Sequence, residues 1–376
     1  MKVLLLSAYD AASHKRWREA LVAHLSDWEF TCLALPPRYF SWRVRGNSLS
    51  WAFGPERALL EQPWDLLLAT SMVDLSGLRG LVPALARVPA AVYFHENQFA
   101  YPESGREYGS VEPKLLNIYN ALAADLVLFN SRYNRDTLLH GAQALLGKLP
   151  DAVPPGLNET IAANSSILPV PLEDTHFERS VKAARGRMPE VVWNHRWEFD
   201  KGPDVLLEAL RGCVARGTRF RLHLVGEQFR RQPQAFAEIE ALLRVPGCPV
   251  VAGEWGFMPS REAYHALLDR CDAVLSTARH DFQGLALLEA AARGCLPLAP
   301  ADLAYPEWFG KAYLADWGFV PTPGRKGVQE EGRALAGRLQ QLVSRWHNDS
   351  LPEPPDVSDL SWQKLGHCYR QVLQSV

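Results

Sequence analysis

The chain has 376 residues, 47% of them hydrophobic and 22% charged, with 40 Lys and Arg against 42 Asp and Glu. This composition excludes disordered, fibrous and disulfide-stapled miniature classes, and a net charge of −2 argues against a chain devoted to nonspecific nucleic-acid binding. The length predicts two domains, each large enough to bury its own core. Val3 to Leu6, the one early apolar run, is too short for a signal-peptide core. No later stretch approaches the roughly 18 to 20 apolar residues of a membrane span, so a cytoplasmic protein without a membrane partner is expected. Six cysteines, at 32, 213, 248, 271, 295 and 368, form no Cys-x-x-Cys pair, so neither a zinc cluster nor a disulfide framework is predicted. Asn158, Asn164 and Asn348 open sequons that would matter only in a secreted chain.

In chain order, apolar runs at 3–9, 30–36, 64–71, 90–96 and 126–131 alternate with helix-like periods. Their continuous apolar character predicts parallel strands covered on both faces, a doubly wound unit. Between 149 and 190 prolines at 150, 154, 155, 169 and 171 break the periodicity, and an interdomain link is expected near 171–187. The pattern restarts with strands at 191–196, 220–227, 250–253, 273–278 and 296–300 and helices near 203–215, 235–244 and 260–269, with another opening near Gly284. A final helix over 357–374 is expected to return to the first domain. The fold class is therefore α/β with two Rossmann-like domains facing a cleft, and the domains read as 1–172, 173–350 and a tail at 351–376.

Ligands of open parallel sheets bind beyond the carboxyl ends of the strands. After the first run stand Ser13, His14 and Lys15, with Ser13 a candidate N-cap. No Gly-x-Gly-x-x-Gly occurs there, which argues against a nicotinamide or flavin cofactor. After the fourth run stand His95, Glu96, Asn97 and Gln98, suited to contacting substrate hydroxyls. Arg196 and Lys201 flank one strand-to-helix turn and equally suit two phosphates of a leaving group or surface pairing with Glu198 and Asp200. Asp281 and Glu289 bracket Gly284 and Leu285 at a helix start, which lets the two acids reach different parts of one ligand. A structural salt bridge is the competing account.

These residues resemble the retaining glycosyltransferases of the GT-B fold, family 4. Arg196 with Lys201-Gly202, the strand end Val225-Gly226-Glu227, Gly256-Phe257-Met258-Pro259 and Asp281-x7-Glu289-Ala290 with Gly294 recur there in that order. The likeness is closer to the tRNA-queuosine alpha-mannosyltransferase branch, through Ser13-His14-Lys15, Ser41-Trp42-Arg43, Tyr93-Phe94-His95-Glu96-Asn97-Gln98, Asn194-His195-Arg196-Trp197-Glu198, Phe129-Asn130-Ser131 and Ala304-Tyr305-Pro306-Glu307. It spans the chain from the first strand to about residue 308. Ala11-Ala12 stand where the branch has two glycines, and Asp281 where the family usually has Glu.

The resemblance implies transfer of mannose from GDP-mannose to the cyclopentenediol of queuosine in a tRNA anticodon, with retention and without a metal or other cofactor. Arg196 and Lys201 would hold the diphosphate, Glu289 the ribose, and Asp281 with the amides near Gly284 the sugar, while His95 would reach the transferred sugar. Leu285, Gly226, Glu227 and Phe257 would complete the donor site. Ser13, His14, Lys15, Trp42, Arg43, Arg45, Glu96, Asn97, Gln98 and Arg132 would face the acceptor, whose loop suits a mix of cations and aromatic faces. A monomer is expected. The competing readings are a family 4 enzyme with another nucleotide sugar and a glycan, lipid or small-molecule acceptor, a noncatalytic sugar-nucleotide or tRNA-binding protein, and a sugar-nucleotide epimerase.

Overall fold

The computed structural model describes residues 1–101, 111–148, 151–178, 186–322 and 324–376. Pro150 and residues 179–185 of the expected link lie outside the described residues. The chain divides into two compact units, Met1–Pro171 with Trp362–Val376, and Leu172–Ser361. The stretch 351–361 thus belongs to the second unit rather than to a tail.

The first unit carries a parallel sheet of β1 (Lys2–Ser7), β2 (Glu29–Ala34), β3 (Leu66–Thr70), β4 (Ala90–Phe94), β5 (Leu126–Phe129) and β6 (Ser165–Ile167), in the order β2-β1-β3-β4-β5-β6. The apolar runs are strands because both faces are covered. Leu4, Leu6, Leu67, Ala69, Val92 and Phe94 face one core, while Tyr93 turns the other way against Trp17. β6 was not among the expected strands. It is an edge strand of three half-buried residues, with Val127 opposite Ser165, so it needs no apolar run.

The helix Trp362–Gln374 packs into this unit, where the Trp17 indole donates to Tyr369 Oη at 3.0 Å. It begins later than expected, after a single 3₁₀ turn at Ser358–Leu360.

The second unit carries β7 (Glu190–Trp193), β8 (Phe220–Val225), β9 (Val250–Gly256), β10 (Ala273–Leu275) and β11 (Leu296–Leu298), all parallel, in the order β11-β10-β7-β8-β9. The 24-residue helix Gly324–His347 stands beyond the expected elements. Its buried Leu335, Ala336, Leu339, Leu342 and Val343 recur at helical spacing and join the core of this unit, so the signal was present. Both sheets have a topological switch point, between β1 and β3 in one and between β7 and β10 in the other. Those are the two places where an open α/β sheet leaves a crevice.

Candidate active site

At the β7/β10 switch point, Asn194, His195 and Arg196 leave β7, and the segment Ser276–Asp281 leaves β10. Lys201 is buried between them. Its ammonium donates to the His280 carbonyl at 2.8 Å and lies 3.5 Å from Asp200 and 3.7 Å from Asp281. Asp281 accepts from the Gly284 amide at 2.9 Å and from the Tyr305 hydroxyl at 3.1 Å. It therefore fixes the turn that starts the helix Leu285–Ala292. Gly284 sits there at φ 79°, and a Cβ at this position would come within 2.6 Å of the Tyr305 ring.

Burial alone would raise the Asp281 carboxyl, but Lys201, with the neighbouring histidines and Tyr305, outweighs it and holds the group below the usual carboxylate range. Burial, aided by Lys201, pushes His195 down to about 3 and His280 down to about 4, so both imidazoles are neutral near pH 7. The pocket thus concentrates its positive charge on Lys201. Arg196 is more open and pairs with Glu198 at 3.0 Å. That pair is half-exposed, so Arg196 can exchange its partner at little cost.

Glu289 is buried on the helix Leu285–Ala292, 3.8 Å from His176 and 3.4 Å from the Tyr264 hydroxyl. Asn194 steadies Tyr264 at 2.7 Å and the Ala286 carbonyl at 2.9 Å. A carboxyl group so placed accepts from hydroxyl donors such as that of Tyr264. Gly226 and Glu227 follow β8, while Phe257 follows β9 and is largely exposed. Leu285 is half-buried at the start of its helix.

Sequence reasoning assigned no role to Tyr305, Tyr264 or His176. Tyr305 lies in a motif that carried the resemblance, and that was the available signal.

Among the described residues, one grouping has metal-ligand chemistry, Glu190, His223 and Cys271, at the amino end of the second sheet. It does not fit an ion. His223 Nδ1 accepts the Glu254 amide at 2.9 Å, so Nε2 carries the proton and donates to Glu190 at 2.9 Å. Arg270 already binds Glu190 at 3.2 Å.

In the first unit, His95 follows β4 and stacks on His14, with ring centroids 4.3 Å apart and an interplanar angle of 20°. Trp17 meets His95 edge-on at 4.7 Å. Burial and the neighbouring His14 lower the His95 pKa well below its ordinary value, and its Nε2 is buried without a hydrogen-bond partner. His14 Nδ1 donates to the Tyr9 carbonyl at 3.0 Å. The helix Ala12–His24 starts from Ala11 without a side-chain cap, so Ser13 does not cap it. Ser13 and Lys15 are exposed, and Lys15 pairs with Glu19 at 3.8 Å.

Several acceptor-side expectations meet a structural use instead. Asn97 is fully buried and saturated, donating to the Asn134 carbonyl and side chain and to Thr137, and accepting from the Phe99 and Ala100 amides. Gln98 donates its backbone amide to Asn117 at 2.7 Å. Arg45 is held by Glu112 and by Asp74, the latter at 3.0 Å, so it is a partnered cation. Glu96 is half-buried and Arg132 exposed at the start of its helix. Trp42 is half-exposed, and Arg43 is buried.

The comparisons with known proteins agree with this layout. The model for the N-terminal region of tRNA-queuosine alpha-mannosyltransferase matches residues 2–172, and that for glycosyl transferases group 1 matches 174–326. The tRNA-queuosine alpha-mannosyltransferase of Drosophila melanogaster is 33% identical over 320 residues, covering 83% of this chain and 82% of that protein. The chain belongs to the tRNA-queuosine alpha-mannosyltransferase family. As a member of that family it is a glycosyltransferase. Its fold is that of GT-B enzymes, shared with Anabaena HepE solved with UDP (TM-score 0.64, 15% identity, 100% of each chain) and with sucrose-phosphate synthase from Thermosynechococcus elongatus (0.64, 13%, 100% of each chain). No helix among the described residues is long and apolar enough to cross a membrane.

Proposed function

We propose that the chain transfers mannose from GDP-mannose to a hydroxyl of the queuosine cyclopentenediol in a tRNA anticodon, with retention at the sugar carbon. The observation that carries the reading is the buried Lys201 at the β7/β10 switch point, bracketed by neutral histidines and by Asp281, with Arg196 beside it. Lys201 and Arg196 take the diphosphate and stabilise the charge that grows on it as the sugar bond breaks. Glu289 accepts from ribose hydroxyls, and Asp281 shares its remaining lone pairs with the sugar. The reading assigns no carboxylate nucleophile. The acceptor hydroxyl attacks the face from which the diphosphate leaves, and a departing phosphate oxygen takes its proton. On the first unit, the stacked pair His14 and His95 serves the acceptor.

The test is incubation of the protein with GDP-mannose and queuosine-bearing tRNA, followed by digestion and mass spectrometry of the queuosine nucleoside. Gain of one hexose, lost in Glu289→Ala, is the expected result. Donor hydrolysis without that gain would discard the tRNA acceptor, and no donor interaction at all would discard the nucleotide sugar.

A further inference from the structure

The helix Phe40–Ala52 presents an unusual outer face. Tyr39, Trp42 and Phe53 are 73%, 54% and 74% exposed, and Phe40 and Leu49 are exposed as well. Trp42, Gly46, Leu49 and Phe53 follow helical spacing along one stripe. Gly46 has a specific use there, because a Cβ at that position would overlap the Trp42 ring. The indole therefore lies flat on the helix and shows one open face to solvent. At the N-terminal end Tyr39 occupies the left-handed region at φ 54°, which a bulky side chain seldom adopts, with the Arg38 guanidinium 5.7 Å above its ring.

Beside Trp42, Arg43 is only 8% exposed and its Nε is buried without a partner. Among the described residues no acid lies within ion-pair distance of it. A buried cation without a counter-charge is costly, so a protein keeps one where a ligand supplies the anion.

The strip also adjoins the histidine pair, since Phe40 meets the Tyr9 ring edge-on at 5.9 Å and the Tyr9 carbonyl accepts from His14. Charge favours an anion, because the segment 38–53 holds Arg38, Arg43 and Arg45 and no acid, and of these Arg45 is taken by Asp74 and Glu112.

We propose that Trp42, held flat by Gly46, is a stacking platform for an unpaired base of an RNA loop, and that Arg43 receives a backbone phosphate of the same loop. The inference rests on the tRNA acceptor proposed above and names where the loop docks. Unpaired bases stack on aromatic faces while phosphates meet guanidinium groups, and the two are adjacent on one strand. A second copy of the chain would account for the exposed aromatics but not for the unpaired Arg43.

The experiment is fluorescence anisotropy of a labelled anticodon stem-loop lacking queuosine, titrated with full-length protein at several salt concentrations. Trp42→Ala should weaken binding by about ten-fold or more with the salt slope unchanged, since one stacked base is lost. Gly46→Ala should also weaken binding although alanine is the better helix former, because the indole is lifted from its seat. Arg43→Met should lower the salt slope by about 0.7 to 1, the loss of one phosphate contact. It should also raise Tm, because a buried unpaired charge has gone, whereas a purely structural arginine would lower it.

Unchanged affinity in both Trp42→Ala and Gly46→Ala, or a lower Tm with an unchanged slope in Arg43→Met, would overturn the platform while wild-type binding left the tRNA reading standing. Failure of the wild type to bind the stem-loop would remove both. Loss of self-association in Trp42→Ala, with RNA binding intact, would assign the face to a second copy and also overturn the proposal.

Discussion

The Tyr369 hydroxyl lies 3.2 Å from that of Tyr93, joining the helix Trp362–Gln374 to β4 directly beneath His95. The same oxygen receives the Trp17 indole N–H at 3.0 Å and reaches the Pro169 carbonyl at 3.0 Å, and Tyr93 in turn reaches the Leu168 carbonyl at 2.6 Å. Besides His14, the rings of Trp17 and Tyr93 are those against which His95 rests. The last helix is thus part of the support of the histidine pair.

Removing that hydroxyl leaves a buried indole N–H unsatisfied. Tyr369→Phe should cost about 1 to 3 kcal/mol of stability, read from the urea midpoint at constant m-value. Transfer activity should fall further than the loss of folded protein explains, because His95 loses its fixed backing. An unchanged midpoint would show that the Trp17 indole finds another acceptor.

Lys201 lies within 4 Å of both Asp200 and Asp281, and its removal takes that cation from both carboxyl groups. Lys201→Ala should destabilise the second unit by about 3 to 5 kcal/mol and abolish transfer. Adding Asp281→Asn to that background should recover part of the stability and none of the activity. Calorimetric unfolding together with single-turnover transfer separates the two effects.

The histidines beside Lys201 predict a direction of pH dependence. His195 and His280 have folded pKa values of about 3 and about 4, below the unfolded value near 6.5. Between those values the unfolded chain binds more protons than the folded one. Their stabilising effect is therefore complete above pH 6.5 and is lost as pH falls toward 4, by about 1 kcal/mol per histidine per pH unit. Asp281, whose folded pKa is depressed, adds to the loss only below about pH 4. Urea midpoints measured from pH 8 to 4.5 check the slope, and a flat profile would mean that these imidazoles charge readily in the folded protein.

The proposed role of Glu289, accepting from the ribose of the donor, can be tested by itself. Glu289→Gln should weaken GDP binding by about 10- to 100-fold, the worth of a hydrogen bond to a charged group. Isothermal titration with GDP reads this without any acceptor present. His176 and Tyr264, which hold the carboxylate, should show the smaller effects expected of positioning residues.

The strands were legible because parallel sheets bury both faces, and runs such as Val3–Leu6 and Leu66–Ala69 need no alternation to be recognised. β6 was not, since half-buried Ser165–Ile167 borrow their pairing from β5. Lys201 and Asp281 could be suspected from their places after two strands, and the β7/β10 crossover brings them together. Partners were the illegible part. Nothing in the sequence shows that Arg45 is taken by Asp74 and Glu112, that Asn97 is held by Asn134 and its own loop, or that Arg43 Nε has no partner among the described residues. The contact between Tyr93 and Tyr369 spans the whole second unit in sequence, and no local pattern could report it.

That last contact also orders events at the ribosome. The second unit is inserted into the first, between Pro171 and Trp362, so the β-sheet carrying His95 emerges early but waits for the helix Trp362–Gln374 before Tyr93 and Trp17 gain their partner. At ordinary rates of synthesis the wait is on the order of tens of seconds. During that interval Trp17 and Tyr93 lack the partner that Tyr369 later supplies.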